Sequence, residues 1–328
     1  MPRRFVAAAI LTTILATTLT LSFVTMAKAQ GVWPDRPIKF VVHVAAGGGF
    51  DLMARVLADR LSHQLSQPVI VENNGTAAGI VAARQVAKAD PDGYTFLFVG
   101  PGFASVPFLH KQPPYDPIND FVPVSLITQF PQLLVIKPDL PAKNLSELIA
   151  LAKSEPGKLT FGSSGIGGAA HIPAEIFMHL AGVKMLHVPF RGGGPASAAL
   201  LGGQVDMLFD GIAPQQGNIA SGRVRALGVT TKERSPLLPD MPAIAETLPG
   251  YQFPLWTGLF APAKTPKAIV DRLAAEIGKA MQDTVTQKRY ADVKVEAVGS
   301  SPEQFDAFFR EQLKFNEDAI KQANIQQD

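Results

Sequence analysis

The sequence predicts an α/β protein of two lobes, each a β-sheet flanked by helices, followed by a helical tail. Three observations predict it. Strand-like and helix-like segments alternate through the first third, with connections short enough to require a parallel sheet. A second run of the same kind follows residue 130, and in both runs a glycine-rich turn succeeds an early strand. From Thr265 onward the chain carries helix-opening signals and helical periodicity. At 328 residues the chain has room for two cores, on a prior of about 150 residues per domain.

Taken in order, Ile38–Val44 is a β-rich run ending in Ala45-Ala46-Gly47-Gly48-Gly49. From Asp51 the period becomes helical, with Leu52, Val56, Leu57, Leu61 and Leu65 on one face. Pro68–Val71 is a short strand, Ala77–Ala89 a helix closed by Asp90-Pro91-Asp92-Gly93, and Tyr94–Val99 a buried strand. In the second run, strands are expected at 133–137, 158–161, 184–188, 205–209 and 225–230, and helices at 145–153, 170–180 and 195–201. Gly162–Gly168 is its glycine-rich turn. Thr265-Pro266 opens a helix with Thr as N-cap and Pro at the first helical position. Ser301-Pro302-Glu303-Gln304 is a capping box for the last helix, whose buried side carries Phe305, Phe308, Phe309 and Leu313.

The first 29 residues read as an export signal. Arg3 and Arg4 precede an uncharged, mostly apolar stretch from Phe5 to Met26, and Ala27-Lys28-Ala29 fits the small-x-small cleavage rule. No later stretch is long and apolar enough to span a bilayer. The segment holds three bases and no acid, so the remaining 299 residues carry 27 basic and 28 acidic groups, a net charge of −1. Such a chain has no electrostatic reason to coat nucleic acid. With hydrophobic residues at 47%, disorder is excluded. The absence of cysteine excludes disulfides, zinc–thiolate and iron–sulfur sites, thiol nucleophiles and a lipoprotein anchor.

The chemistry then rests on the two turns. Gly47-Gly48-Gly49-Phe50-Asp51 joins a strand to a helix, where free N–H groups and the positive helix end favour a carboxylate or phosphate. The same residues also serve as a tight turn without a ligand, and spacing alone leaves both readings open. Position 52 is Leu, so the dinucleotide fingerprint is absent. In Gly162–Gly168, Ser163 and Ser164 add hydroxyls, but neither has glycines two residues to either side, as a nucleophile elbow requires. His171 and Glu175 lie one turn apart without a third metal ligand nearby, and His171 reads better as a first-turn residue bonded to the loop. His43 and His187 read as structural. Asp210, at a strand's carboxyl end, either bonds a ligand or caps Gly211-Ile212. Arg191 is a bidentate carboxylate partner or merely solvated.

An ordered set of segments resembles one receptor family. It includes Trp33-Pro-Asp-Arg-Pro-Ile-Lys-Phe-Val-Val, Gly47-Gly48-x-x-Asp51, Val71-Glu72-Asn73 and Ala89-Asp-Pro-Asp-Gly-Tyr-Thr95. Pro156-Gly-Lys-Leu159, Gly162-Ser-Ser-Gly-x-Gly167 with His171, His187-Val-Pro189, Leu201-Gly-Gly-Gln-Val-Asp206 and Trp256-x-Gly258 continue it. The pattern, across nearly all of the chain after the signal, resembles the solute-binding receptors of tripartite tricarboxylate transporters, also called Bug receptors. The resemblance implies a type II-like periplasmic binding protein with two mixed-sheet lobes and a ligand cleft between them. Lobe 1 would comprise 30–130 and 250–328, lobe 2 residues 131–249. It implies a monomer that captures a small organic carboxylate, uses no cofactor or metal, performs no catalysis and docks on a permease of one large and one small subunit. The implied ligand-binding residues are Gly47, Gly48, Gly49, Phe50, Asp51, Phe103, Ser163, Ser164, Gly167, Gly168, Ala169 and Asp210. The chain departs from the family pattern at Ala45-Ala46, at Asn74–Gly79 and at Gly168, where relatives carry Pro-Pro, an Arg-Pro-Gly-Ala-Gly run and a hydroxyl residue. Phe50 and Phe103 replace smaller or polar residues, implying a ligand with an apolar or aromatic body. A periplasmic partner of a membrane signalling protein and an enzyme of the same architecture are the alternatives.

Overall fold

The computed structural model describes residues 33–47, 49–190 and 192–322. The signal segment, Gly48 and Arg191 lie outside the described residues.

The chain opens with β1 (Ile38–Val42), α1 (Gly49–Leu65), β2 (Val69–Asn73), α2 (Ile80–Ala87), β3 (Thr95–Val99), α3 (Gly102–Leu109) and β4 (Phe121–Phe130). β1 pairs in parallel with β2 on one side and β3 on the other, as the short connections require. α1 buries Met53, Ala54, Val56, Leu57, Ala58 and Leu61 at helical spacing. Leu52, expected on that face, is 44% exposed because Met53 takes the core position. The helix expected at 77–89 divides, with a 3-10 turn at Thr76–Gly79 before α2.

The middle of the chain adds β5 (Gln132–Ile136), α4 (Leu145–Ser154), β6 (Thr160–Ser163), α5 (His171–Ala181), β7 (Leu186–Pro189), α6 (Gly193–Leu201), β8 (Met207–Gly211), α7 (Ile212–Ala220), β9 (Arg225–Val229) and α8 (Ile244–Thr247). These five strands form a second sheet in the order β7-β6-β8-β5-β9, parallel through β7, β6 and β8 and antiparallel at β5. Helices α5, α6 and α7 each carry proline at the third helical position, as Pro173, Pro195 and Pro214. A first-turn N–H has no intrahelical acceptor, so these prolines cost no helical bond and fix where each helix starts.

The chain then returns with β10 (Leu255–Pro262), α9 (Lys267–Gln282), α10 (Thr284–Asp292), β11 (Glu296–Ala297) and α11 (Pro302–Gln322). β10 inserts antiparallel between β3 and β4, giving the order β11-β4-β10-β3-β1-β2. Both sheets are therefore mixed, and the fold is the expected two-lobed α/β type. The lobes are joined where β4 passes through Pro131 into β5 and where the chain reaches β10. Tyr251 donates its hydroxyl to Pro173 O and stacks on Phe209, and the Phe253 N–H donates to Thr230 O. The return to the first sheet thus begins at Leu255, a few residues past the 249/250 boundary expected from the sequence.

The first lobe's core is aromatic. Phe103, Tyr115, Phe121, Trp256, Phe260, Phe305 and Phe309 form one cluster, with ring centroids as close as 4.8 Å. Burying each such side chain contributes about 1.5–3 kcal/mol. The capping box is present, with Gln304 N donating to Ser301 Oγ and Ser301 N to Gln304 Oε1. Thr265 does not cap α9. Its hydroxyl donates to Pro262 O, and Pro266 occupies the cap position. Among the described residues no helix is long and apolar enough to cross a membrane.

Candidate functional site

Between the lobes lies a cleft of ≈ 520 Å³. Its walls are made by helix starts. Gly49, Phe50, Leu52 and Met53 come from the beginning of α1 in the first lobe. Ala169 and Ala170 immediately precede α5, Gly193, Gly194 and Ser197 open α6, and Gly211 to Pro214 open α7, all from the second lobe. Each of these four helices follows the carboxyl end of a strand, the place where open α/β sheets bind ligands. The positive ends of four helix dipoles therefore converge on one cavity, with first-turn N–H groups from α1, α6 and α7; those of α5 are spent, because the His171 and Ile172 N–H groups donate to Gly168 O and Pro173 has none.

The rest of the wall is mostly apolar, with Phe130, Leu208, Phe209, Leu255, Val293 and Val295. Among the described residues, Asp210 and Lys294 are the two ionisable ones that line it. Gln132, 3% exposed in β5 at the junction of the lobes, also lines it, and its Oε1 accepts no hydrogen bond among the described residues. Burial pushes the Asp210 carboxyl above its ordinary value, against the opposing pull of Gln215 and the Gly211 N–H.

Of the residues expected to bind ligand, Gly49, Phe50, Ser164, Ala169 and Asp210 line the cleft. Others support it from behind. Asp51 is 4% exposed and accepts from the Gly47 N–H (2.8 Å), Arg55 Nε (3.1 Å) and Asn73 Nδ2 (2.9 Å). Burial opposes its ionisation, yet these donors outweigh burial and hold its pKa below the ordinary carboxylate value. Its carboxylate is engaged in fixing the first turn. Gly47, at φ 88°, supplies the left-handed backbone which that closure needs.

The second turn is tied without charge. The Gly167 N–H donates to His171 Nδ1 (3.1 Å), which leaves the His171 proton on Nε2, facing Glu175 at 3.3 Å. His171, His187 and Phe161 stack, with 4.1 Å between the two imidazole centroids and 4.8 Å from Phe161 to His187. Ser163 is fully buried beneath the turn, with its Oγ 2.5 Å from His187 Nε2 and accepting from the Gly165 N–H. Burial first, then the neighbouring His171, lowers His187 from 6.5 to about 4, with Glu175 acting in the opposite direction. The Gly168 N–H donates to Gly165 O, so it too serves the turn. Gly167, at φ 72°, packs so closely on Leu109 of α3 that a Cβ there would overlap the leucine side chain.

Phe103 is a correction. Expected as a pocket wall, it is 3% exposed inside the first lobe's core, stacked on Tyr115 and Phe309. Its position in α3 turns it toward the sheet, and Phe50 alone of the pair meets the cleft. Sequence reasoning placed Asp210 at a strand's carboxyl end but did not single out Gly193, Gly194, Ser197 or residues 211–214 as cleft residues. The signals were there in Gly192-Gly193-Gly194-Pro195 and Asp210-Gly211, glycine-bearing turns after strands. Among the described residues no group of three metal-ligating side chains occurs.

Comparison with known proteins agrees with this architecture. Residues 53–325 match the model of the tripartite tricarboxylate transporter family receptor. The structure of the periplasmic binding protein BugD is 35% identical, with a TM-score of 0.78 over 90% of this chain and 99% of that one. A Rhodopseudomonas palustris protein solved with adipate, Rpa4515, is 32% identical, with a TM-score of 0.80 over 89% of this chain and 98% of its own. MatC from the same organism, solved with bound malate, is 34% identical, with a TM-score of 0.77 over 88% and 100%. On the ordered motifs, the two-lobed fold and the matched family model, this chain belongs to the tripartite tricarboxylate transporter receptors, the periplasmic solute-binding proteins of that transport system.

Proposed function

We propose that this receptor captures a small organic carboxylate with an apolar body and delivers it to a membrane permease. The observation that carries this reading is the convergence of four helix N-termini on one largely apolar cleft. A carboxylate there gains hydrogen bonds and dipole stabilisation from the helix starts themselves. The apolar walls reward the remainder of the ligand by roughly 25 cal/mol per Å² removed from water. The adipate and malate complexes of the two R. palustris relatives support the same ligand class. In this reading lobe 1 (30–130 and 250–328) and lobe 2 (131–249) close on the ligand as rigid bodies, with the second crossing at Leu255. The receptor acts in the periplasm as a monomer after cleavage near Ala29, and performs no chemistry on its cargo.

A thermal-shift panel of mono-, di- and tricarboxylates, aromatic acids, amino acids and nucleotides tests this. Ligand at a hundred times its dissociation constant adds about 2.7 kcal/mol of stability. For a chain of this size that is on the order of 5–10 °C. Stabilisation by acids with an apolar body, above that by citrate, is the expected result. A response to nucleotides alone, with silence to every carboxylate, overturns the reading.

A further inference from the structure

The floor of the cleft holds a braced polar pair. Asp210, at the end of β8, and Ser197, on the first turns of α6, both line the cavity. Behind them stands Gln215 of α7, fully buried. Its single Nε2 donates to Ser197 Oγ at 2.6 Å and to Asp210 Oδ2 at 2.7 Å. The orientation of that amide is fixed from the other side. Asn218 Nδ2 donates to Pro214 O and to Gln215 Oε1, so the nitrogen of Gln215 must face the cleft. The second Asp210 oxygen accepts from the Gly211 N–H at 2.8 Å.

This arrangement decides what the pair offers a ligand. Ser197 Oγ accepts from Gln215 and makes no other hydrogen bond among the described residues, so its proton is available to donate. Asp210 offers carboxylate lone pairs. Two acceptors of one amide nitrogen stand about 5 Å apart, given the roughly 120° between its N–H bonds. One oxygen atom can lie within hydrogen-bond reach of both. A hydroxyl suits the pair because it accepts from Ser197 and donates to Asp210. An ammonium only donates: it answers Asp210 but cannot accept from Ser197, whose proton would have to turn back to a main-chain carbonyl of its own helix. An ether or carbonyl only accepts, and would leave Asp210 unanswered.

We propose that Ser197 and Asp210, positioned by the buried Gln215, read a hydroxyl on the ligand, so that the preferred cargo is a hydroxy-substituted carboxylic acid with an apolar body. The inference rests on the carboxylate-receptor reading above and narrows it to a substrate class. Leaving both groups unpaired when the hydroxyl is missing is the source of discrimination.

The test is isothermal titration with acids matched in pairs. Benzoate is compared with its 2-, 3- and 4-hydroxy derivatives, phenylacetate with mandelate, and succinate with malate. Phenylglycine and the aminobenzoates replace the hydroxyl by nitrogen. At least one hydroxy acid should bind about tenfold or more tightly than its parent and than its amino analogue. In Ser197→Ala and in Gln215→Leu that ratio should fall close to one. Gln215→Leu keeps the side chain's bulk, and Ser197→Ala removes one exposed-side oxygen, so the two variants guard each other against a folding artefact. Equal affinity for hydroxylated and parent acids overturns this inference alone. A ratio that survives both variants, or tighter binding of the amino analogue, overturns it as well. Failure of every acid to bind overturns it together with the carboxylate reading.

Discussion

The two glycine-rich turns perform the same mechanical task by different chemistry. Each ends a strand, opens a helix and presents that helix start to the cleft. The first is closed by an ion. The Asp51 carboxylate gathers the Gly47 N–H, Asn73 and Arg55. The second is closed by neutral groups, the Gly167 N–H on His171 and the Ser163–His187 contact, under a stack of three rings. The difference teaches where each turn is vulnerable. A buried carboxylate with three donors fails when its charge is removed. A neutral imidazole stack fails when a charge is added.

Removing the ion should have the largest effect. Asp51→Ala removes the buried acceptor shared by the Gly47 N–H, the Asn73 amide and Arg55, and should cost about 1.5–3 kcal/mol in urea unfolding. Asp51→Asn should recover only part of that, since a neutral amide oxygen is a poorer acceptor for Arg55. Equal stability of Asp51→Ala and the parent protein would show that the first turn does not depend on its carboxylate.

Next in size is a paired glycine substitution. Gly47→Ala and Gly167→Ala both force a left-handed backbone on alanine, at about 1–2 kcal/mol each. They differ in surroundings. A Cβ at 47 meets nothing within 4 Å, whereas at 167 it overlaps Leu109 from the other lobe. Gly167→Ala should therefore lose ligand affinity beyond its loss of stability, by holding the lobes apart, and Leu109→Ala in the same chain should restore part of it. Equal affinity losses at the two positions would remove the cross-lobe contact from the account.

Acid separates the turns further. Folded His187 titrates near 4 and its unfolded counterpart near 6.5, so unfolding takes up a proton between those values. Its contribution is complete above pH 6.5 and is lost as the pH falls toward 4. His43, packed against Phe50 near the first turn, is lowered by burial to about 4 and adds to the same slope. Asp51, held below its ordinary 3.8, keeps its contribution until the pH falls below that value. The melting temperature should decline from pH 6.5 to 4, and His187→Asn should flatten part of the decline. An unchanged slope in that variant would mean that His187 does not carry the decline.

Much of this arrangement is legible in the sequence, for identifiable reasons. The strand-to-helix turns announce themselves because glycine and short connections are local requirements, and the capping box at Ser301 is read from four adjacent residues. The strands β4 and β10 escape the same reading. Both are largely buried, so they lack polar–apolar alternation, and Pro123 and Gly258 within them argue against a strand until the antiparallel partner is known. At the site, Phe50 and Phe103 look alike in sequence, and only tertiary packing sends one to the cleft and the other to the core. The Ser197–Gln215–Asp210 brace is equally invisible, because it joins one helix start to the next across a strand.

The smallest expected effect is also the most local. Ser163→Ala removes the oxygen that meets His187 Nε2 and accepts the Gly165 N–H. A single neutral hydrogen-bonding group of this kind is worth about 1 kcal/mol. Global unfolding would barely resolve it, but amide hydrogen exchange can. The Gly165 amide should exchange faster in the variant, while the Gly47 amide, held by Asp51 in the other lobe, should keep its protection. Asp51→Asn should give the opposite pattern. If either substitution loosened both turns equally, the two closures would form one cooperative unit across the cleft, and closure itself would be what holds each turn in shape.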